Sequence, residues 1–301
     1  MKRNPLLIFL SIVGVFFILA IVFVSILVFS FWGERPSLVG KSDSIGVIAI
    51  EGVIYDSEAV LKALQKFKES DHIKAIIVRI DSPGGVVGAS QEIYSELKKM
   101  RKLKKIVASF ESLGASGAYY IACGADKIVA NPGTLTGSIG VIMEFANLQK
   151  LYQWAKMDHT VIKSGRYKDV GSPFRPMDAD EKEFLNHLVK NVHQQFKGVV
   201  LAERKIAPAN VEMVTDGRVF TGEEAKQLGL VDQLGNFQDA VEVAKELAGL
   251  KGKPELVYPA KEKMPLWKYF IGESTTRLVD TFLTRESLSS PLLYLMPLSG
   301  S

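Results

Sequence analysis

A single serine among small residues is the first feature of this sequence that could do covalent chemistry. Ser116 lies within Gly114–Ala118 and follows an apolar run. Small neighbours let a substrate carbonyl approach a hydroxyl, and a helix that begins at the serine adds positive potential for an oxyanion. The segment is not a Gly-x-Ser-x-Gly elbow, because Ala118 takes the last position. Taken alone, it favours a helix cap slightly over a nucleophile.

A serine nucleophile needs a base, and the histidines are poor candidates because they belong to predicted strand ends or to a long outer helix. They are His72, His159, His187 and His193. Lys168 is the remaining option. A lysine must be neutral to accept a proton, and burial can lower its pKa by roughly 3 units from about 10.4. Asp169 is adjacent but need not pair with it, since neighbouring side chains in extended chain point opposite ways. From chemistry alone, a solvated basic loop remains the favoured interpretation.

Two consecutive glycines could supply the backbone amides that such a reaction requires. Gly84 and Gly85 end the segment that starts at Asp81, between a predicted strand and a predicted helix. Glycines there let N–H groups turn outward toward an oxyanion. A tight turn that needs positive φ explains them equally well.

The elements that must position these residues alternate between strand and helix patterns. Strands are predicted at Ile45–Ile54, Ile73–Ile80, Lys105–Phe110, Lys127–Ala130 and Thr160–Ile162. Helices are predicted after a cap at Ser57 and at Ser90–Lys99, Asp178–Lys205, Glu223–Gly229 and Asn236–Gly249. This alternation with short connections predicts an α/β class, in which crossover helices cover a parallel sheet.

The N-terminal segment predicts a membrane anchor. Leu6–Trp32 carries no charge and exceeds the roughly 20 residues that a helix needs to cross hydrocarbon. It ends without the small-x-small exit of a cleaved signal peptide, so we expect it to be retained. Lys2 and Arg3 precede it, whereas Glu34 and Arg35 cancel after it. The N-terminus is therefore expected in the cytoplasm and the rest of the chain outside.

Composition excludes several classes of function. The net charge of +4, from 37 basic and 33 acidic residues, is too small and dispersed to indicate a nucleic-acid partner. Cys123 is the single cysteine, which excludes an intrachain disulfide and a thiolate metal cluster. A small buried apolar residue is its expected role.

Four motifs in order resemble the signal peptide peptidase A family, peptidase family S49, in its short bacterial form. They are Asp81–Gly85, Gly114–Tyr120, Asn131–Val141 and Ser164–Pro173. The resemblance covers about Ile45 to Leu250. It implies a ClpP/crotonase-like fold, with a mainly parallel sheet and flanking helices, preceded by one N-terminal transmembrane helix.

The resemblance also implies roles for particular residues. Ser116 matches the nucleophile of a Ser-Lys dyad, and Lys168 matches its general base. Ser138 matches a serine that orients the lysine. Gly84 and Gly85 match the loop that forms the oxyanion hole. No metal or organic cofactor is implied.

The function implied is that of a serine endopeptidase in the inner (plasma) membrane. It would degrade remnant signal peptides and misfolded membrane or secreted segments, and prefer small or apolar side chains near the cut. The family forms octamers in which serine and lysine come from neighbouring subunits, so a homo-oligomer is expected. Lys163 lies close to Lys168 and could be the base, but only Lys168 precedes the aspartate of the family pattern.

Four segments are predicted along the chain. Residues 1–36 form the cytoplasmic tip and anchor, 37–44 a linker, 45–250 the peptidase domain and 251–301 an extension of unclear role. The apolar end of the extension, Pro291–Leu298, could dock, contact the membrane or mimic a substrate. We hypothesise that it can occupy the substrate groove, and simple packing on the domain is at least as well supported.

Three rival functions remain open at this point. A related membrane-bound serine protease could cut one defined partner, such as a stomatin-like protein. A crotonase-type acyl-CoA enzyme would leave the serine and lysine motifs unexplained and would lack coenzyme A outside the cytoplasm. A membrane scaffold could keep the fold without catalysis.

Overall fold

A computed structural model describes residues 5–32, 43–259 and 293–296. Contacts divide the chain into Met1–Val39 and Gly40–Ser301. The first unit contains helix α1 (Pro5–Trp32), in which side chains are described only at Phe9 and 13–25. No helix within the described residues is long and apolar enough to cross a membrane. The transmembrane anchor therefore stays a prediction, and the four charged residues that set its predicted orientation lie outside the described residues.

The second unit contains the remaining elements. The strands are β1 (Ser44–Glu51), β2 (Ile73–Ser82), β3 (Gly84–Val86), β4 (Lys105–Ala115), β5 (Lys127–Ala130), β6 (Leu135–Gly137), β7 (Val219–Thr221), β8 (Gln233–Leu234), β9 (Glu255–Val257) and β10 (Leu293–Leu295). The helices are α2 (Glu58–Glu69), α3 (Val87–Met100), α4 (Gly117–Ala122), α5 (Gln149–Trp154), α6 (Ala179–Glu203), α7 (Val211–Val214), α8 (Gly222–Gln227) and α9 (Phe237–Leu247). Short 3-10 turns cover Arg166–Asp169 and Pro208–Asn210.

The main sheet is mostly parallel, as the strand and helix alternation predicts. Its strands run in the order β7-β6-β4-β2-β1-β9, with β5 on β4 and β8 on β5. All of these pairs are parallel except β6 with β7. The α/β class with a mainly parallel sheet is confirmed. This sheet with its flanking helices is consistent with a ClpP-like fold. The predicted domain boundaries at 36, 44 and 250 stay predictions.

Strands β2, β4 and β6 are neighbours and end at one edge of the sheet. Ser82 of β2 pairs with Gly114 of β4, and Ala115 of β4 pairs with Gly137 of β6. The residues that follow these strands therefore emerge side by side. Carboxyl ends of parallel strands are the usual place for a ligand site in this architecture.

Helices cover the sheet on both faces. On one face, α9 packs Ala240, Val241 and Ala244 against a strand core. On the other, α2 buries Phe67, which is 1% exposed. A Cβ on Gly46 of β1 would lie 2.6 Å from the Phe67 ring, so glycine lets the ring reach the strand backbone.

The structure differs locally from four expectations. No strand forms at Thr160–Ile162, and Ile162 is 98% exposed. Ser57 does not cap α2, because its hydroxyl donates to Glu92 instead. Strand β1 ends at Glu51, and β4 continues to Ala115, beyond the predicted Phe110. The extension of β4 follows from its pairing with β6, a long-range partner that local apolar pattern does not reveal.

Replacing Phe67 tests how far this packing stabilises the fold. Phe67→Ala removes a buried ring and leaves a cavity against Gly46, so we expect a loss of roughly 3–5 kcal/mol in the free energy of unfolding. Urea unfolding of the detergent-purified chain measures it. Leu103→Ala, at a side chain that is 64% exposed, is the control and should stay within about 0.5 kcal/mol. Equal losses in the two variants would contradict this packing.

Candidate active site

Ser116 lies in a strained turn between β4 and α4. Its φ of 54° and ψ of −118° are unusual for a residue with a side chain. Hydrogen bonds hold the turn, because Ser116 N donates to Gly137 O at 2.8 Å and Tyr120 N donates to Ser116 O at 2.9 Å. The side chain is buried, and its Oγ has no hydrogen-bond partner among the described residues. A buried hydroxyl left without a partner is costly and suits a group reserved for a reacting molecule.

Ser138 emerges beside Ser116 from the neighbouring strand. Because Ala115 and Gly137 are register partners, the two serines are the next residues along adjacent parallel strands. Ser138 also has positive φ, at 50°, and is 6% exposed. The structure therefore brings the candidate nucleophile and the candidate lysine-orienting serine to one edge.

Gly84 and Gly85 begin the short strand β3 and occupy positions that leave no room for a side chain. Gly84 has a φ of 99°, and its N–H donates to Ser82 Oγ at 3.1 Å. A Cβ on Gly85 would lie 2.1 Å from Ile54 O. Ile54 N donates to Gly84 O at 2.9 Å, and this bond fixes the pair against the chain segment that follows β1. A Cβ on Gly84 would lie 2.6 Å from Gly117 N, so the amide after Ser116 belongs to the same small space.

The described part of the C-terminal tail lies along this glycine strand. β10 pairs antiparallel with β3, so that Tyr294 faces Gly85. On the other side, Leu293 exchanges backbone hydrogen bonds with Ile142 at 3.1 and 3.2 Å. The tail is thus an added strand between two segments, which is how extended peptides bind to an exposed strand edge. Of the predicted tail segment Pro291–Leu298, residues 293–296 are within the described residues, and its occupation of a substrate groove stays a prediction.

Lys168 is not brought to Ser116 within one chain. It lies in the 3-10 turn Arg166–Asp169 and is exposed, with its backbone N donating to Gly165 O at 3.1 Å. Within the described residues its side chain makes no hydrogen bond or ion pair, and Ser116 Oγ has no partner either. The burial that the predicted dyad would require of this lysine is therefore not provided by the residues that the structure describes in a single chain.

Lys163 is held by other groups in the same loop. Its Nζ donates to Asp169 Oδ1 at 2.5 Å and to Arg166 O at 3.0 Å. Both contacts hold the Lys163 amine within its own loop, where it is bound to a carboxylate and a carbonyl oxygen. Asp169 pairs with Lys163 and Arg175 and not with Lys168, which agrees with the independence expected of these neighbours. The contacts favour Lys168 over Lys163 as the base.

Arg175 ties the Lys168 turn to the start of α6. Its Nε and Nη2 donate to the carboxylate of Asp169 at 3.0 and 2.9 Å, and Nη1 donates to Glu181 Oε2 at 2.8 Å. Glu181 also accepts from Asp178 N at 3.0 Å in the capping box of α6. Hydrogen bonds from Arg175 hold the pKa of Glu181 at about 2 and depress the pKa of Asp169 further. The loop that follows Lys168 thus contains a structural anchor for the turn that carries it.

Some features of the site had weak signals in the sequence. Gly117 lies inside the motif around Ser116, but the sequence does not reveal that its amide lies close to Gly84. Nothing in the sequence distinguishes Arg175 from the other arginines, because its two carboxylate partners are seen only in the structure. Burial raises the pKa of Cys123 to about 12, so this thiol is unreactive. Within the described residues, no cluster of three or more His, Cys, Asp or Glu side chains could hold a metal.

Comparisons with known proteins identify relatives of the chain. Residues 98–251 match Peptidase family S49, and residues 42–134 match Clp protease. The chain is 46% identical over 239 residues to "Putative protease slr0021" of Synechocystis, covering 79% of this chain and 86% of that protein. It is 35% identical over 220 residues to "Putative protease MJ0651" of Methanocaldococcus jannaschii, covering 72% and 70%.

Two further comparisons either cover less of the related protein or have a lower sequence identity. "Putative signal peptide peptidase SppA" of Enterococcus faecium is 35% identical over 193 residues, which are 64% of this chain and 56% of that protein. A solved mutant of a membrane-bound stomatin-specific protease matches 73% of this chain and 99% of its own, with a TM-score of 0.44 and 17% identity. At that level, the structural match bears on neither mechanism nor partner.

The cluster of Arg175 with Asp169 and Glu181, called here the Arg175 cluster, predicts how the free energy of unfolding depends on acid pH. A carboxyl group with a depressed pKa stabilises the fold above its unfolded-state pKa, and this contribution is lost as the pH falls through the folded-state pKa. For Glu181 that window runs from its ordinary pKa of 4.5 down to about 2. Arg175→Met should therefore lose less stability than wild type as the pH falls through this window.

Urea midpoints at about pH 7 and about pH 3 measure this difference. Lys102→Met, at an exposed lysine on the turn after α3, is the control and should keep the wild-type pH dependence. An Arg175→Met variant that loses as much stability as wild type would show that the cluster does not hold these carboxylates.

Proposed function

Because this chain belongs to peptidase family S49, we propose that it is a membrane-anchored serine endopeptidase in which Ser116 and Lys168 form the catalytic dyad. One observation carries the proposal above all others. The buried Ser116 Oγ, which has no hydrogen-bond partner within the described ranges, lies at the edge where a peptide strand, β10, already lies on Gly84 and Gly85. Nucleophile, amides and bound peptide are the parts that acyl transfer requires.

The proposed reaction is an acyl transfer in two steps. Ser116 Oγ attacks the peptide carbonyl carbon while its proton passes to neutral Lys168 Nζ. The C–N bond then breaks, and the leaving amine takes that proton. Water next attacks the ester, gives a proton to Lys168, and Ser116 Oγ regains it as the ester C–O bond breaks. Lys168 acts as base and then as acid in each half, and no oxidant or cofactor is consumed.

Backbone amides near Ser116 are proposed to hold the oxyanion. The Gly84 N–H is already bound to Ser82 Oγ, so the amides proposed for the oxyanion hole are those of Gly85 and of Gly117, the residue after the nucleophile. A Cβ on Gly117 would lie 3.1 Å from Gly85 N, which supports their proximity. Ser138 emerges next to Ser116, from where its hydroxyl could hydrogen-bond to an arriving lysine and fix its direction.

We propose that Lys168 reaches Ser116 from a neighbouring copy of the chain. In one chain Lys168 is exposed, and Ser116 Oγ has no hydrogen-bond partner in the part of the chain that the structure describes. The segment before Lys168 also exposes large apolar side chains, which are costly in water and are typical of an interface. These are Leu151 at 54%, Trp154 at 81%, Met157 at 56% and Ile162 at 98%. A second copy of the chain would bury both Lys168 and these apolar side chains. The proposal that eight copies assemble rests on the family resemblance alone.

The proposed substrates are remnant signal peptides and other apolar segments that leave the membrane. The name of the Enterococcus faecium relative supports this class. In α1, the described side chains at residues 13–25 are all exposed and almost all are apolar, which supports an anchor in lipid. With the charge pattern at the N-terminus, this favours a cytoplasmic N-terminus and an extracytoplasmic peptidase domain at the inner membrane.

Single substitutions at the dyad test the chemistry. Ser116→Ala and Lys168→Ala should each lower kcat on a fluorogenic apolar peptide by roughly 10³-fold or more, because nucleophile or base is lost. Lys163→Ala should keep activity within about ten-fold of wild type, since its amine is already bound to Asp169. Initial rates in detergent micelles measure all three. A Lys168→Ala variant as active as Lys163→Ala would refute the assignment.

Mixing the two inactive variants tests whether the site is shared. If Ser116 and Lys168 come from different copies, oligomers formed from Ser116→Ala and Lys168→Ala chains contain intact sites where two wild-type residues meet. Co-expression in equal amounts should restore about a quarter of wild-type activity. Co-expression of Ser116→Ala with itself under a second tag is the control. A mixture as inactive as its components would contradict a shared site.

A further inference from the structure

Strand β4 contains a bulge just before the candidate nucleophile. Strands β2 and β4 are in register at Ile80 and Phe110, and again at Ser82 and Gly114. A single residue of β2, Asp81, therefore lies opposite three residues of β4. Such a bulge interrupts the backbone ladder and bends the strand that contains it. Because the bulge ends three residues before the nucleophile, its shape sets the direction from which the serine arrives.

The Asp81 side chain closes the bulge from the β2 side. Its Oδ1 accepts from Leu113 N at 3.0 Å. Its backbone O accepts from Gly52 N at 2.9 Å, which ties the same residue to the segment after β1. A backbone N–H in a bulge loses its partner on the neighbouring strand, and here a carboxylate oxygen takes that partner's place.

Side chains before and within β6 hold the bulge from the other side. Thr134 Oγ1 donates to Glu111 O at 2.6 Å, and Asn131 Nδ2 donates to the same oxygen at 3.1 Å. Thr136 Oγ1 donates to Gly114 O at 2.7 Å. The bulge is thus held between β2 and β6 by side-chain hydrogen bonds at both of its ends.

We propose that Asp81 is a positioning residue of the peptidase, which acts through Leu113 N to hold the bulge in the shape that places Ser116 Oγ for attack. The inference rests on the proposed peptidase function and adds to it a residue outside the dyad and the oxyanion hole. Displacement of a reacting atom by about 1 Å can cost on the order of 100-fold in rate, so the loss of one hydrogen bond in the bulge is enough to impair catalysis. The role requires an acceptor oxygen at Oδ1 and not a negative charge.

A bond of the same kind at the other end of β4 provides a matched control. Asp126 Oδ2 accepts from Ile106 N at 2.8 Å, and Asp126 is partly buried, as Asp81 is. Both bonds join a carboxylate to a backbone N–H of β4, but Ile106 is the second residue of the strand, whereas Leu113 lies near its carboxyl end. A purely structural contribution should therefore appear at both aspartates, and a positioning contribution at Asp81 alone.

Substitutions at the two aspartates separate positioning from stability. Asp81→Ala should lower kcat on the fluorogenic apolar peptide by about 100-fold and keep KM within about three-fold, because the peptide-binding strand β3 is unchanged. Asp81→Asn keeps the acceptor oxygen, so its kcat should stay within about three-fold of wild type. Asp126→Ala should lower the urea midpoint as Asp81→Ala does, but keep kcat within about three-fold. Initial rates and urea unfolding of the full chain in detergent micelles measure these effects.

Variants of Thr134 test the bulge from the β6 side and decide the matter if Asp81→Ala does not fold. Thr134→Val should slow fluorophosphonate labelling of Ser116 by about ten-fold, and Thr134→Ser, which keeps the hydroxyl, should restore the rate. Unchanged labelling in Thr134→Val would overturn the positioning role.

Two results at the aspartates would also overturn that role and leave the peptidase assignment standing. One is a kcat that falls no further in Asp81→Ala than in Asp126→Ala. The other is an Asp81→Asn variant as slow as Asp81→Ala. Failure of wild type to cleave the peptide would overturn both the positioning role and the peptidase assignment.

Discussion

Parallel pairing of β2, β4 and β6 is the constraint on which the site depends. The register that joins Ser82 to Gly114 and Ala115 to Gly137 makes three strands end together. The glycine strand, Ser116 and Ser138 then emerge at one edge without any direct bond between their side chains. A register slip of one residue would turn these side chains to the opposite face, so the buried strands that fix the register also fix the chemistry.

Backbone conformation at this edge explains why the sequence is rich in glycine there. Ser116 and Ser138 both adopt positive φ although they carry side chains, and hydrogen bonds from their own amides hold them in place. Gly84 and Gly85 instead leave no room for a Cβ, because a peptide strand and Ile54 approach on either side. The positive φ of the two serines and the absence of side chains at the two glycines have the same result. Together they leave a surface on which a peptide backbone can lie.

Local patterns predict the strands of the sheet and several of the helices well, because these elements arise from short stretches of chain. The apolar runs of β1, β2 and β5 and the caps of α6 and α9 lie within a few residues of the predicted bounds. The anchoring of Asp169 by Arg175 and the seating of Tyr294 on Tyr120 join residues that local patterning does not connect. The isolated apolar segment Thr160–Ile162 misled the prediction for a related reason. Its β-branched residues resemble a strand but find no strand partner within the described residues, and Ile162 stays exposed.

The central claim is that Ser116 is a nucleophile activated by Lys168, and covalent labelling tests it most directly. A fluorophosphonate probe is added to the full chain in detergent micelles, and the modified peptide is located by mass spectrometry. The account predicts labelling at Ser116 in wild type and in Lys163→Ala, and labelling slowed by at least about 100-fold in Lys168→Ala. Absence of label at Ser116 in wild type, or undiminished labelling in Lys168→Ala, would contradict it.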